Sequence, residues 1–282
     1  MITKEIIEDN FSQRNTLSYE LSILIGVDSF DYVITDVGHQ ILALTSTAFD
    51  PAKATLLDQI KQELEQQHPL LKNRYKNVKV ACANEKMTLI PSRLYNDAER
   101  ITYLSQTITL KAEDEIRVND LPVLQAKNVF AIPIAVTELV QQHFSGARIF
   151  HLCSALLTGF RQSITPSERQ FRVLVHLKGD LLYITLFDHA HLFYCNSFSY
   201  KSAKDFLYYI LLVFKQFDLN PEEIPLWVSG RLVPDSEIYR LLYRYIRHLH
   251  FVRLPAFYQA GPKLSEEPAH FYFDLLSINL CV

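Results

Sequence analysis

Three strands joined by two tight turns are predicted for residues 171–198, whose sequence is FRVLVHLKGDLLYITLFDHAHLFYCNSF. The apolar runs 171–177 and 181–187 are separated by a segment that contains Gly179 and Asp180, and both residue types favour turns. A second turn over 188–190 leads into the third run. Because both connections are so short, the three strands must form an antiparallel meander.

The same order occurs earlier, in residues 17–46, LSYELSILIGVDSFDYVITDVGHQILALTS. In both places the meander is followed by a helix with one apolar face and then by another strand, which gives a repeated βββαβ unit. This repeat predicts an α/β protein with a first half over 1–160, including a charged insertion around 92–127, and a second half over 161–282. The first fifteen residues are polar and are expected to be frayed.

The composition of the chain argues against several classes of function. The chain has 282 residues, of which 49% are hydrophobic and 21% charged, as in a folded globular protein. Seven glycines provide no glycine-rich loop for phosphates, and a net charge of −3 argues against binding nucleic acid by neutralising phosphates. Widely spaced cysteines without a CxxC pair indicate reduced thiols. With no signal-peptide pattern and no apolar run long enough to span a bilayer, we expect a cytoplasmic protein without membrane insertion.

The duplicated order resembles the actin-like ATPase fold, in which two ribonuclease H-like βββαβα halves face each other across a nucleotide cleft. The strand 128–133, the helix after it and the strand 147–151 are similar to the pilus- and secretion-assembly branch of actin-like proteins. More closely still, the chain resembles a bacterial domain-of-unknown-function family with an actin-like fold.

The resemblance implies where a nucleotide would bind. Family members that use ATP carry Asp-x-Gly in each first hairpin, where backbone N–H groups approach the phosphates and the carboxylate organises Mg²⁺. The first hairpin here has Gly26 and a displaced Asp28, and in the second hairpin Lys178 replaces a usual glycine. Since a Cβ keeps the backbone away from a phosphate, ATP hydrolysis is expected to be lost.

On the adenosine side, Gly230 and Arg231 follow a strand and precede a helix, as in the family segment that approaches the base and sugar, with one glycine where two are common. A requirement for a tight strand-to-helix turn explains Gly230 slightly better than a nucleotide contact does. The cleft candidates are therefore Asp28, Ser29, Lys178, Gly179, Asp180, Gly230 and Arg231. No catalytic residue, metal site or obligatory cofactor is expected, although ATP with Mg²⁺ could bind without turnover.

Three function hypotheses remain open. The first is a non-catalytic actin-like scaffold, or pseudo-ATPase, that binds another protein. The second is a divergent ATP-binding or kinase-like enzyme that uses Asp28, Asp180 or Asp188. The third is a nucleic-acid-associated ribonuclease H-like module with a basic helical face formed by three arginines, Arg240, Arg244 and Arg247.

Other pairs point only weakly to chemistry. His189 with His191 and His248 with His250 could place two imidazoles on one strand face, but zinc needs further ligands. His151 with Cys153 suggests a thiol–imidazole pair, although the apolar sequence around it favours a buried structural thiol.

Overall fold

The fold consists of two α/β halves and a small inserted sheet, as seen in a computed structural model that describes residues 2–50, 52–164 and 171–282. The first half, with the insertion, contains nine strands and four helices among the described residues: β1 (Ile2–Ile7), β2 (Glu20–Ile25), β3 (Ser29–Thr35), β4 (Ile41–Ala48), α1 (Leu56–Gln62), β5 (Asn77–Cys82), β6 (Met87–Pro91), α2 (Arg100–Ser105), β7 (Asp114–Leu121), β8 (Ala126–Pro133), α3 (Ile134–His143), β9 (Arg148–His151) and α4 (Leu152–Ser163). The elements after it are β10 (Phe171–Lys178), β11 (Leu181–Asp188), β12 (His191–Ser199), α5 (Ala203–Gln216), β13 (Leu226–Gly230), α6 (Glu237–Tyr245), β14 (Leu249–Phe251) and α7 (Phe273–Asn279).

Each half is built on its own sheet, and the two sheets repeat one topology. The first has the order β1-β4-β3-β2-β5-β9 and the second β12-β11-β10-β13-β14. In both, an antiparallel meander passes through a helix to a strand that pairs in parallel with the first meander strand, β2 with β5 and β10 with β13. The predicted βββαβα duplication is therefore confirmed.

Three of the meander strands, β3, β4 and β11, are almost completely buried. Every described residue of β3 and all but the last residue of β4 and of β11 are buried. Their sequences are nearly continuous apolar runs because few of these positions meet water. Two large cores result. One lies in the second half, and the other fills the first half and includes residues of the second sheet, namely Leu174, Leu181, Tyr183 and Phe187.

The insertion is a separate three-stranded sheet of order β6-β8-β7, with α2 packed against it. Leu104 of α2 is fully buried beside Val129 and Ala131, which form a small third core. The charged segment predicted around 92–127 therefore lies within a folded unit that spans residues 87–133.

The prediction that the first fifteen residues are frayed is wrong for residues 2–15, and residue 1 lies outside the described residues. Strand β1 adds to the edge of the first sheet by pairing with β4, and Ile6 is buried. Just beyond it, the buried Glu8 accepts a hydrogen bond from the backbone N–H of Leu264, at 2.9 Å. Both partners are distant in sequence, and the polar residues of this edge strand gave no local sign of its pairing.

The chain returns to the first half after β14. Helix α7 packs against α4 and β2, and Phe160 stacks on Phe273 with ring centroids 4.9 Å apart. Leu275 and Ile278 are buried in the core of the first half. The return places α7 beside the cleft between the two sheets. Across the described residues, no helix combines the length and the apolar character needed to cross a membrane.

Candidate functional site: the cleft between the halves

Two hairpin turns meet at the cleft. The β2–β3 turn is closed by a hydrogen bond of 2.8 Å from the backbone N–H of Gly26 to the carbonyl oxygen of Ser29. The β10–β11 turn contains Gly179 at φ +57°, where a Cβ would lie 2.7 Å from Val27 Cγ2. Gly179 thus lets the second hairpin touch the first, and this contact requires both a left-handed conformation and the absence of a side chain.

Lys178 crosses from the second hairpin to the first. Its side chain is only 10% exposed, and its Nζ lies 2.5 Å from Asp31 Oδ2 and 3.7 Å from Asp274 Oδ2. Its Cε lies 2.5 Å from the position that a Cβ on Gly26 would take, so the lysine chain covers that glycine. Burial alone would lower the pKa of Lys178, but the carboxylates of Asp31 and Asp274 outweigh it and hold the pKa above its usual range.

Asp31 is held from several sides. Ser29 Oγ donates to its Oδ2 at 2.8 Å, and Ser46 Oγ donates to its Oδ1. Ser46 in turn accepts a hydrogen bond of 2.8 Å from Arg231 Nη2. The carboxylate therefore has hydroxyl donors as well as an ammonium partner, which is the arrangement a buried charge requires.

Asp274 closes the network from α7. Its Oδ1 accepts the backbone N–H of Leu275 at 2.8 Å, and His176 Nε2 lies 3.3 Å from its Oδ2. Burial opposes ionisation of this carboxyl, yet Lys178 and His176 outweigh it and hold the pKa of Asp274 well below its usual range. The other ring nitrogen of His176, Nδ1, lies 2.9 Å from Ser229 Oγ.

The free space beside this network is small. The cavity has a volume of about 120 Å³, whereas pockets for drug-sized ligands typically measure about 300–1,000 Å³. Six of the seven predicted cleft residues line it, namely Asp28, Ser29, Lys178, Gly179, Gly230 and Arg231. Asp180 is not among the lining residues, and its carbonyl oxygen accepts the backbone N–H of Tyr200 at 2.9 Å. Whether any of the seven contacts a ligand stays a prediction.

Gly230 has a structural explanation. Its φ is +96°, and a Cβ there would lie 2.2 Å from the carbonyl oxygen of Leu177. The close approach of β13 to β10 therefore requires glycine at this position. Its neighbour Arg231 lies over the ring of Tyr272, with the guanidinium carbon 5.8 Å from the ring centroid.

Sequence reasoning missed Asp31, Ser46 and Asp274. Asp31 carried a usable signal, because a lone carboxylate inside the apolar run 30–34 must find a partner if the strand is buried. Asp274 carried none, since its partner Lys178 is far away in sequence and the return of α7 could not be deduced locally.

Asp188 lies away from this site. It ends β11 opposite Phe171, at the far end of the ladder from Lys178, roughly 20 Å away at the rise of a strand. Its Oδ1 is 2.6 Å from Nδ1 of His189.

The predicted face of three arginines is wrong. Helix α6 begins after the cap Ser236 and ends at Tyr245, so Arg247 lies beyond it. Arg247 pairs with Glu222 at 3.2 Å, and Arg240 donates to the carbonyl oxygen of Asp235 at 2.9 Å.

The remaining histidine and cysteine motifs are the candidate metal sites and the candidate thiol–imidazole pair. Within the described ranges, no three His, Cys, Asp or Glu side chains come together to hold a metal. His151 does not pair with the thiol of Cys153: its Nδ1 accepts that residue's backbone N–H at 3.1 Å and caps α4. Burial lowers the pKa of His151 to about 3, so the imidazole is neutral.

Two duplicated sheets facing each other through their first hairpins define a protein of the actin-like ATPase fold. The chain is similar to a Bacteroides thetaiotaomicron protein described as having an actin-like ATPase fold and unknown function, with 20% identity, a TM-score of 0.78, and 86% of this chain and 93% of that one covered. A chain of the PilM–PilN type IV pilus biogenesis complex matches with 16% identity and a TM-score of 0.64, covering 93% and 97%. The ethanolamine utilization protein EutJ from Carboxydothermus hydrogenoformans matches with 10% identity and a TM-score of 0.54, covering 98% and 93%.

At these identities the solved structures establish the fold alone. No curated protein matches the sequence. The chain belongs to the family described as protein of unknown function DUF3822, whose family model matches residues 8–249.

Proposed function

We propose that this protein is a cytoplasmic, protein-binding scaffold of the actin-like fold whose cleft does not hydrolyse ATP. The observation that carries the proposal is the position of Lys178, which covers Gly26 of the facing hairpin and pairs with Asp31 and Asp274. A catalytic Mg²⁺ needs free carboxylate oxygens and a phosphate needs open backbone N–H groups. In this cleft the Lys178 ammonium already pairs with oxygens of Asp31 and Asp274, and the remaining space is about 120 Å³.

Nucleotide titration tests the first part of the proposal. Thermal unfolding of the full chain is followed with ATP, ADP and each nucleotide plus Mg²⁺. A ligand at a hundred times its Kd adds about 2.7 kcal/mol of stability, which raises the Tm of a protein this large by roughly 5 °C. We expect no such rise and no release of phosphate. Turnover of ATP that stops in Asp31→Asn or Asp274→Asn would overturn the proposal and favour a divergent ATPase.

A second, larger opening supports the scaffold role. A groove of about 850 Å³ lies between the inserted sheet and β12. One wall is formed by residues around the ends of β6 and β7, including Val123, which is 72% exposed. The other wall is the first part of β12, including Phe193, which is 56% exposed.

The groove has the chemistry of a site for an extended peptide. Strand β12 is an outer strand that pairs with β11 alone among the described residues, so alternate backbone groups along its other side are available for pairing. Among the described residues that line the groove, the basic side chains are Arg93 and His191, and none carries a carboxylate. We therefore assign the occupant as an extended segment of a partner protein that carries an acidic residue, bound by strand addition. The PilM–PilN complex contains a protein of similar fold bound to another protein.

Variants of the groove test this assignment. Partner capture is compared between wild type, Val123→Asp, Arg93→Glu, and two controls outside the groove, Tyr243→Asp and Arg14→Glu. We expect both groove variants to lose the captured protein and both controls to keep it. A synthetic segment of that partner should then slow amide hydrogen exchange in β12, with binding that weakens as salt is raised. Equal capture by all variants, or protection confined to another face, would refute the groove as the binding site.

A further inference from the structure

Two thiols from opposite halves meet behind the groove. Cys153 lies in the first turn of α4, and Cys195 lies in β12. Their Sγ atoms are 3.5 Å apart, although the two residues are separated by 42 positions in sequence. A disulfide requires about 2.05 Å, so a side-chain rotation or a small shift of the outer strand would bring the sulfur atoms to bonding distance.

The two thiols differ in access. Cys153 is 1% exposed and is enclosed by α4 and the elements packed on it. Cys195 is part-exposed and lines the groove. An oxidant that diffuses into the groove therefore meets Cys195 first. Cys153 lies directly behind it, where a resolving thiol is needed.

The two thiols also differ in acidity. The Sγ atoms of Cys153 and Cys195 share a hydrogen bond, and this bond, with a second donated by Thr185 Oγ1 at 3.5 Å, lowers the pKa of Cys195. The same bond, together with burial, raises the pKa of Cys153. By contrast, burial raises the pKa of Cys82 and of Cys281 to about 12.

We infer that Cys153 and Cys195 form an oxidation site that accepts peroxides and closes into a disulfide joining the two halves. The Cys195 thiolate attacks one oxygen of hydrogen peroxide, the O–O bond breaks, and the leaving hydroxide takes a proton to become water. The Cys153 sulfur then attacks the resulting sulfenic sulfur, and its own thiol proton leaves with the displaced hydroxide as a second water. Two thiols are oxidised and one peroxide is reduced, so the step balances without another reagent.

The inference is independent of the scaffold proposal, since it depends only on the contact between the two sulfur atoms. A disulfide between α4 and β12 would fix the inner wall of the groove and restrain the unfolded chain. We therefore expect the oxidised protein to melt at a higher temperature than the reduced protein.

The test uses the full chain treated with a modest excess of hydrogen peroxide and then denatured for thiol titration. The protein has four free cysteines, and we expect two to be lost, with a mass decrease of two hydrogens, a peptide linking Cys153 to Cys195, and full reversal by dithiothreitol. Loss of no thiol, equal loss from all four, or a link between two chains would overturn the inference. These readouts come from the wild-type protein and do not depend on a variant folding.

Variants then separate the two roles. Cys195→Ser should abolish the reaction, whereas Cys153→Ser should leave a sulfenic acid at Cys195 that dimedone traps. The matched control Cys82→Ser removes another buried thiol and should keep both the rate and the product. Dimedone labelling at Cys153 in Cys195→Ser would show that the assigned order of attack is wrong.

Discussion

The cleft and the groove are both openings between parts of the same molecule, and they are built in opposite ways. The cleft has a volume of about 120 Å³ and is crossed by ion pairs between buried side chains. The groove measures about 850 Å³ and is bordered by an outer strand and exposed apolar residues. Charged side chains in the cleft contact one another, whereas apolar side chains of the groove remain exposed. The difference indicates that buried charge pairs join the halves at the cleft, whereas the groove leaves apolar surface exposed.

The largest effect should come from Lys178→Met. This change leaves Asp31 and Asp274 buried without their ammonium partner, and breaking a buried pair in this way costs about 3–5 kcal/mol of the free energy of unfolding. Urea denaturation measures it. The control Lys263→Met removes an exposed pair with Asp9 and should cost less than about 1 kcal/mol. Similar midpoints for the two variants would mean that the cleft network does not join the halves.

Gly230→Ala should rank next. The new Cβ would meet the carbonyl oxygen of Leu177, a backbone atom that cannot swing away, so we expect a loss of about 2–4 kcal/mol. Gly146→Ala is the matched control, because Gly146 also has a positive φ, +82°, but no atom lies within 4 Å of its added Cβ. It should lose only about 1 kcal/mol, the cost of the left-handed conformation. Equal losses would show that cleft packing contributes nothing at Gly230.

Acid should act on the groove side before it acts on the cleft. His151, which caps the helix behind the groove, has a pKa lowered to about 3 by burial, against about 6.5 in an unfolded chain. The unfolded state therefore takes up a proton that the folded state refuses, and stability falls as the pH drops below 6.5. We expect about 2 kcal/mol to be lost between pH 7 and pH 5. His151→Asn keeps a capping side chain and should flatten this slope; an unchanged slope would contradict the assignment.

Asp274 would contribute to acid unfolding only at a lower pH than His151. The pKa of its carboxyl is depressed in the folded state, so its stabilising contribution is complete above the unfolded value near 4 and is lost at still lower pH.

The smallest effect on stability should be that of Val123→Asp in the groove. The side chain is largely exposed, and such surface changes usually alter the free energy of unfolding by less than about 0.5 kcal/mol. An unchanged urea midpoint together with lost partner capture would show that the groove serves binding and not folding. A large loss of stability would instead make Val123 part of the fold.

The parts of the structure that could be predicted are those fixed by neighbouring residues. Continuous apolar runs and turn residues determine the meanders, and Gly179 and Lys178 were found because they lie in a hairpin. Strand β1 escaped prediction because its partner β4 is far along the chain and its outer side faces water. Asp274 escaped because only the return of α7 brings it to Lys178, and the pairing of distant charges leaves no local pattern.

That return also has a consequence for synthesis. Side chains from Leu264 to Cys281 complete the core of the first half. The earlier segments of that half therefore cannot finish packing until more than a hundred further residues have been translated. At roughly 5–20 residues per second the delay lasts on the order of ten seconds. During that interval β2 and α4 lack their covering helix, and a chaperone would find there the apolar surface that α7 later hides.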